Sequence, residues 1–329
     1  MPSRARKITA YVVTIVALFV LFLFAVNTGS LQVTPAQLFK GLFIEYDETV
    51  ATIYDLRFPR IFIAMLGGAA IAVSGVLLQA AIRNPLADPG IIGINSGASL
   101  GAVLVTLLFP TLYFYSPIFA FIGGMIAFAL VYSLSWKGGL SPLRIILVGV
   151  AVAAMFDGIL AAIESGSGSS SSVTSIIDAN ITLKTWDDLE TLAIYAIPAL
   201  IISLFLCKRC DILALDDKTA RSLGMDVNKN RIGISTVAVA LASIGTAIIG
   251  PISFLGLIVP HIGRLLVGSE HKTLIPYCMI LGAFCLLLAD TIGRTIAYPY
   301  EISAAVIMSI VGGPVFIILL RRSKNSYVE

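Results

Sequence analysis

Few residues in this 329-residue sequence have the type and spacing for chemistry, and most of those few suggest recognition rather than bond-making. Asp290 and Arg294, four apart, can pair along one helix face. His261, after Pro260, reads as a helix-end residue hydrogen-bonded near a kink. Cys207 and Cys210 form a Cys-x-x-Cys, but no second pair or nearby His completes a metal site. Cys278 and Cys285 read as packing residues. Asp157 has no evident partner. An enzyme reading would need Ser96 and His261 as the dyad of an intramembrane serine protease, and the Ser-Gly element is its only support. No Gly-x-x-x-x-Gly-Lys-Ser/Thr loop occurs, so an ATP-driven step would need a nucleotide-binding partner.

One polar stretch stands out, Asp211 to Arg231. Ile212, Leu213, Leu215, Ala220, Leu223 and Met225 alternate with Asp216, Asp217, Lys218 and Arg221. The pattern predicts two short helices joined near Gly224, with an apolar stripe and charged flanks, as a docking surface would have. Gly224 after Leu223 suits a helix stop. A solvated loop between two membrane helices is the alternative.

The elements that must position these residues are membrane helices. The chain is 58% hydrophobic and only 12% charged, with a mean hydropathy of +0.96, far from the roughly 45–50% apolar and 25% charged of soluble domains. The net charge of +3 does not imply nucleic acid. Apolar runs at about 8–27, 60–82, 91–109, 117–135, 145–163, 191–207, 232–249, 252–267, 274–292 and 302–320 predict ten spans in one membrane domain, residues 1–329. The first run reads as a retained span rather than a signal peptide. Seventeen of the 22 lysines and arginines fall at one set of span ends. The positive-inside rule then places both termini and the Asp211–Arg231 loop in the cytoplasm. The other ends hold Lys40, Arg57, Arg60, Lys184 and Arg294 among many acidic residues. The loop 164–190 on that side opens with a Ser/Gly-rich stretch, and Trp186 is expected at the interface.

Three segments are polar or kinked where a plain anchor would be apolar: Leu56–Ser99, Gly250–Gly268 and Ala289–Pro314. Gln79, Asn84, Asn95 and Ser96 fall at or near membrane depth, and Pro85, Pro89, Pro251 and Pro260 break the backbone. Such groups are tolerated where protein buries them or where they line a wet path. An ion-coupled secondary transporter would share these features. It would also predict charged partners near the midplane and would not need a structured docking loop.

The motifs in these segments are specific in combination. They are Arg57-x-Pro59-Arg60, Ser74-Gly75-x-x-x-Gln79, Asn84-Pro85-Leu86-Ala87, Gly93, and Ser96-Gly97-Ala98. Then come Gly250-Pro251-Ile252-x-Phe254-x-Gly256-Leu257-Ile258-x-Pro260-His261, Ala289-Asp290 with Arg294, and Glu301 ahead of Gly312–Pro314. In this order they resemble the FecCD-type permeases of type II ATP-binding-cassette importers for iron chelates, haem and cobalamin, from about Leu56 to Leu320.

The resemblance implies an all-α polytopic bundle of about ten transmembrane helices, like the cobalamin-importer permease, in a bacterial plasma membrane. It implies a transport subunit rather than an enzyme. The expected partners are a second permease, two cytoplasmic ATPase subunits that bind the ATP and magnesium, an extracytoplasmic substrate-binding lipoprotein and membrane lipid. No cofactor is expected in this chain. Arg57, Arg60 and Arg294 look like the arginines that grip acidic residues of the binding protein. Asp216, Asp217, Ala220, Arg221, Leu223 and Gly224 look like the coupling element that seats in the ATPase. Gln79, Asn84, Leu86, Ser141 and Pro142 look like gate or path positions. The expected cargo is a ferric siderophore, with haem or cobalamin as alternatives. One departure is evident: where many members carry a Trp-Leu-x-Gly-Ser-like segment, this chain reads Lys184-Thr185-Trp186-Asp187-Asp188.

Overall fold

The computed structural model describes residues 3–28, 33–135, 142–166, 174, 176–297 and 300–324. Its architecture follows from one helix, α4 (Phe58–Ile82), whose Gly, Ala, Ile and Leu side chains leave no polar face for a surface. Pro59 supplies a preset φ in its first turn. Arg83 ends it in the left-handed conformation, its N–H donating to the Gln79 carbonyl. Nearly every residue from Gly67 to Ile82 is buried, so α4 is the central post.

Before it come α1 (Arg4–Asn27), a mostly exposed apolar helix, and two short helices, α2 (Pro35–Phe43) and α3 (Glu48–Leu56). Thr34 caps α2 through Gln37 N–H, and Asp47 caps α3 through Thr49 and Val50 N–H. After it come α5 (Ile94–Leu108), a 3₁₀ turn at Pro110–Tyr115, α6 (Ser116–Ser135), α7 (Pro142–Gly166) and α8 (Trp186–Phe205). The segment that departs from the family pattern builds the start of α8. Thr185 and Asp188 form its capping box, and Lys184 and Tyr113 bond the same carboxylate. Then follow α9 (Cys207–Leu213), α10 (Asp217–Ser222), α11 (Val227–Ile249), α12 (Leu255–Val267), α13 (His271–Ile296) and α14 (Ala304–Lys324).

Seven of these stretches are long and apolar enough to cross a membrane, and α5, α12 and the 304–318 part of α14 are shorter apolar helices. Each predicted apolar run coincides with one of them. Helix α13 runs antiparallel to α4 and packs along it, and α11, α12 and α8 complete the ring around the post. At Gly68 and Gly282 the α4 and α13 backbones touch, and a Cβ on either glycine would collide with the other's carbonyl. The Ser74 hydroxyl donates to the Ala238 carbonyl of α11 at 2.7 Å. That bond satisfies a polar group that membrane depth would otherwise penalise.

Candidate functional site

Three polar constellations lie along α4, at its two ends and at its broken link to α5. At the first end, Arg60 stands in the opening turn and is 6% exposed. Its Nε and Nη2 donate to Asp290 of α13, at 2.8 Å for the shortest bond, and its Nη1 donates to Glu301 at 2.8 Å. The Thr182 hydroxyl donates to the same Glu301 oxygen at 2.7 Å. Arg294 pairs with Asp290 at 3.2 Å, as its helical spacing predicts. The angle of that contact makes no hydrogen bond, so Nε and Nη2 of Arg294 have no hydrogen-bond partner among the described residues.

Arg57 occupies the corner between α3 and α4, half-buried, and donates to the Val26 carbonyl at the end of α1 at 2.6 Å. Within the cluster, Arg60 and Arg294 meet two carboxylates, Asp290 and Glu301. Burying such groups is unfavourable unless bidentate geometry and further hydrogen bonds offset it, and Asp290 is placed for both. Outside the helices, burial works against the charge of Glu301, yet Thr182 and Arg60 hold its carboxyl below the usual range. A recess of about 290 Å³ opens over the cluster, lined by Arg60, Asn180, Thr182, Asp290, Glu301 and their neighbours. The structure therefore joins Arg60 and Arg294 through Asp290, with Arg57 set apart at the α3–α4 corner and bonded to the end of α1, and it turns all three guanidiniums toward the protein.

At the other end of α4 lies the polar loop. It does contain two short helices, but they join at Ala214–Asp216 and not near Gly224. Asp216 decides this, because its carboxylate accepts the Thr219 N–H at 2.7 Å. Such a cap is a stronger start signal than the glycine is a joint. That bond also holds its carboxyl below the usual range. Gly224 instead ends α10 at φ +80° and turns the chain into α11, as a left-handed C′ glycine does. Asp217 and Ala220 face inward. Asp217 sits between Arg83 at 3.0 Å and Arg231 at 3.2 Å, and Arg231 also donates to the Ala81 carbonyl. Ala220 is 1% exposed. Asp216, Arg221, Leu223 and Gly224 are exposed, Leu223 at 60%, beside an open groove lined by Arg209, Ile212, Met225, Asp226 and Lys229.

The link between α4 and α5 folds back against the turn before α12. The Gln79 amide donates to the carbonyls of Ala87 and Gly256, and Asn84 accepts the Leu86 N–H. Asn95 donates to the Ile252 carbonyl. Gln79 Oε1 and Asn84 Nδ2 are buried and have no partner among the described residues. Ser141 lies outside the described residues, and Pro142 is the first residue of α7.

Sequence reasoning missed Asp88, fully buried in this link. Its Oδ1 accepts the N–H groups of Gly90 and Ile91, and the amides of Phe254 and Gly256 at the head of α12 turn toward the same carboxylate. Asp followed by Pro-Gly is an Asx-turn signal that could have found it. It also missed the clasp of Asp211 on His271, 2.6 Å from carboxylate to Nδ1, which ties α9 to the start of α13. Nothing in a sequence 60 residues apart announces such a pair.

Comparison with known proteins fits this geometry. The FecCD transport family matches residues 17–322. "Probable heme-iron transport system permease protein IsdF" of Staphylococcus aureus (strain Newman) is 42% identical over 301 residues, 92% of each chain. The same-named protein of strain MSSA476 is 41% identical over the same coverage. A solved structure described as an inward-facing conformation of a metal-chelate type ABC transporter superposes with a TM-score of 0.78 at 27% identity, covering 96% of this chain and 99% of that one. PsaBC from Streptococcus pneumoniae, solved with a Fab, shares the fold at a TM-score of 0.58 and 18% identity, over 87% of this chain and 95% of its own. With a family match that takes in α4, α13 and both charged ends, the chain belongs to the FecCD transport family, and its helical bundle is that of a membrane permease.

Proposed function

We propose that this chain is the permease of an ABC importer that moves an iron chelate into the cytoplasm, crossing the membrane ten times with both termini inside. The observation that carries this reading is the division of labour along α4. A charged, recessed cluster at one end suits a binding protein, and an exposed, capped helix at the other suits a motor. The seven long and three shorter apolar helices supply the ten crossings. A second permease completes the passage, and two cytoplasmic ATPases bind ATP and magnesium, since no phosphate loop exists in this chain. Leu223, Arg221, Asp216 and Gly224 form the surface the ATPase meets, while Asp217 and Ala220 anchor it. Arg57, Arg60 and Arg294 form the binding-protein site, approached through the recess over Arg60 and Glu301. Gln79, Asn84 and Leu86, with Ser141 and Pro142, border the cytoplasmic gate.

For the cargo, a ferric siderophore is the sequence-based expectation, and the haem-iron name of the staphylococcal relatives favours haem as the second reading.

The test is reconstitution. Vesicles holding this permease, its ATPase and a loaded binding protein should accumulate ferric cargo only with hydrolysable ATP. Gly224→Pro should retain ATP hydrolysis but lower import at least about tenfold, because proline cannot take the positive φ that turns α10 into α11. Accumulation against a gradient by the permease without any ATPase would defeat the reading.

A further inference from the structure

The long helices keep their charges near their ends, with one exception. Asp157 is the charged side chain, among the described residues, that is exposed well inside a long apolar helix, α7. An ionised carboxylate turned toward hydrocarbon is strongly disfavoured, and intramembrane charges face protein or a wet cavity. Helices α5 and α6, which pack against α7, carry no charged residue to pair with it. Val150, Ala154 and Ala161 are exposed on the same side of α7, and nothing lies within 4 Å of where a Gly158 Cβ would stand, so this side is open among the described residues.

The depth is informative as well. At Gly149 and Ala153, α7 touches Ile91 to Gly93 of the broken link. Asp157 follows one turn further along, about 6 Å from Ala153. It therefore stands just beyond the segment that holds Gln79 and Asn84, on the side away from the Arg83 end of α4. The opposite flank of α7 exposes Met155 and Ile159, which suit lipid.

We infer that the Asp157 face of α7 borders a water-filled passage completed by a second permease, and that this carboxylate favours cationic or neutral chelates over polyanionic ones. The charge preference rests on the importer reading above; the wet face does not. With no cation on α5 or α6 to offset it, the carboxylate keeps its field in a narrow, partly desolvated space, where one charge is felt strongly by another.

Two measurements test this, and they fail separately. In sealed vesicles of the assembled complex, Asp157→Cys should react with a water-soluble, membrane-impermeant thiosulfonate, above the background of the parent chain. Met155→Cys and Ile159→Cys should not. Reaction of Asp157→Cys only with a lipid-soluble maleimide would overturn the passage assignment, whether or not the complex transports anything.

In import assays with a cationic ferric trihydroxamate, an anionic ferric tricatecholate and haem, Asp157→Asn should raise anionic import relative to cationic import by roughly tenfold. Asp157→Glu should keep the original ratio. An unchanged ratio in Asp157→Asn would overturn the selectivity. Failure of the unaltered complex to import any of the three would instead strike the importer reading, leaving the labelling result to decide the passage.

Discussion

The two ends of α4 use the same kinds of side chain in opposite ways. At the Arg60 end, Arg60, Asp290 and Arg294 lie inside the protein at 8% exposure or less, and Glu301 carries the cluster to the surface. At the Arg83 end, one carboxylate, Asp217, is drawn inward while Asp216, Lys218 and Arg221 remain in water. A buried ionic network holds helices in a fixed relation and tolerates little change. An exposed one contributes little to stability and leaves its residues free to meet a partner. The first end therefore holds its helices in place beneath a recess, and the second offers its side chains directly to a partner.

The largest effect should come from Asp290→Asn, which leaves Arg60 and Arg294 buried without their shared counter-ion. A loss of about 3–5 kcal/mol is expected for breaking such a pair, read as a fall in thermal unfolding temperature in detergent. A variant as stable as the parent would dissolve the contrast between the two ends. Leu223→Asp should act the other way round. It should leave the unfolding temperature unchanged yet weaken ATPase association by more than about tenfold, as truncation of an exposed apolar anchor does; pull-down of the ATPase on the purified permease reads this. Arg83→Ala should have the smallest effect, about 1 kcal/mol or less, because surface pairs are weak and its side chain and the Asp217 carboxylate are 36% and 38% exposed. A loss as large as that of Asp290→Asn would mean the Arg83 end is as tightly locked as the other.

Much of this arrangement was legible in the sequence, for definite reasons. Runs such as 60–82 and 232–249 became helices within a few residues, because length and apolar content leave membrane-spanning chain no alternative. The pairing of Asp290 with Arg294 followed from helical spacing alone. What stayed hidden depends on other parts of the chain. Arg57 bonding Val26, Arg231 bonding Ala81 and Asp211 clasping His271 are contacts that only the packed bundle creates. The helices α2 and α3 are nine residues each, too short for a hydropathy signal, although Thr34-Pro35 and Asp47-Glu48 are readable start signals. The burial of Arg60 and Arg294 was hidden for the same reason: exposure belongs to the fold, and a motif at a span end does not disclose it.

The glycine contact between α4 and α13 has a mechanical consequence. A helix of 25 residues is about 37 Å long. Here two such rods touch backbone to backbone at Gly68 and Gly282 and are bolted together at one tip by Arg60 and Asp290. Two rods bolted and pressed in this way cannot slide past each other; they can only rock as one beam. On the importer reading proposed above, a push delivered through Asp217 to Arg83 at the near tip would reappear as a swing at the far tip, on the opposite surface of the membrane.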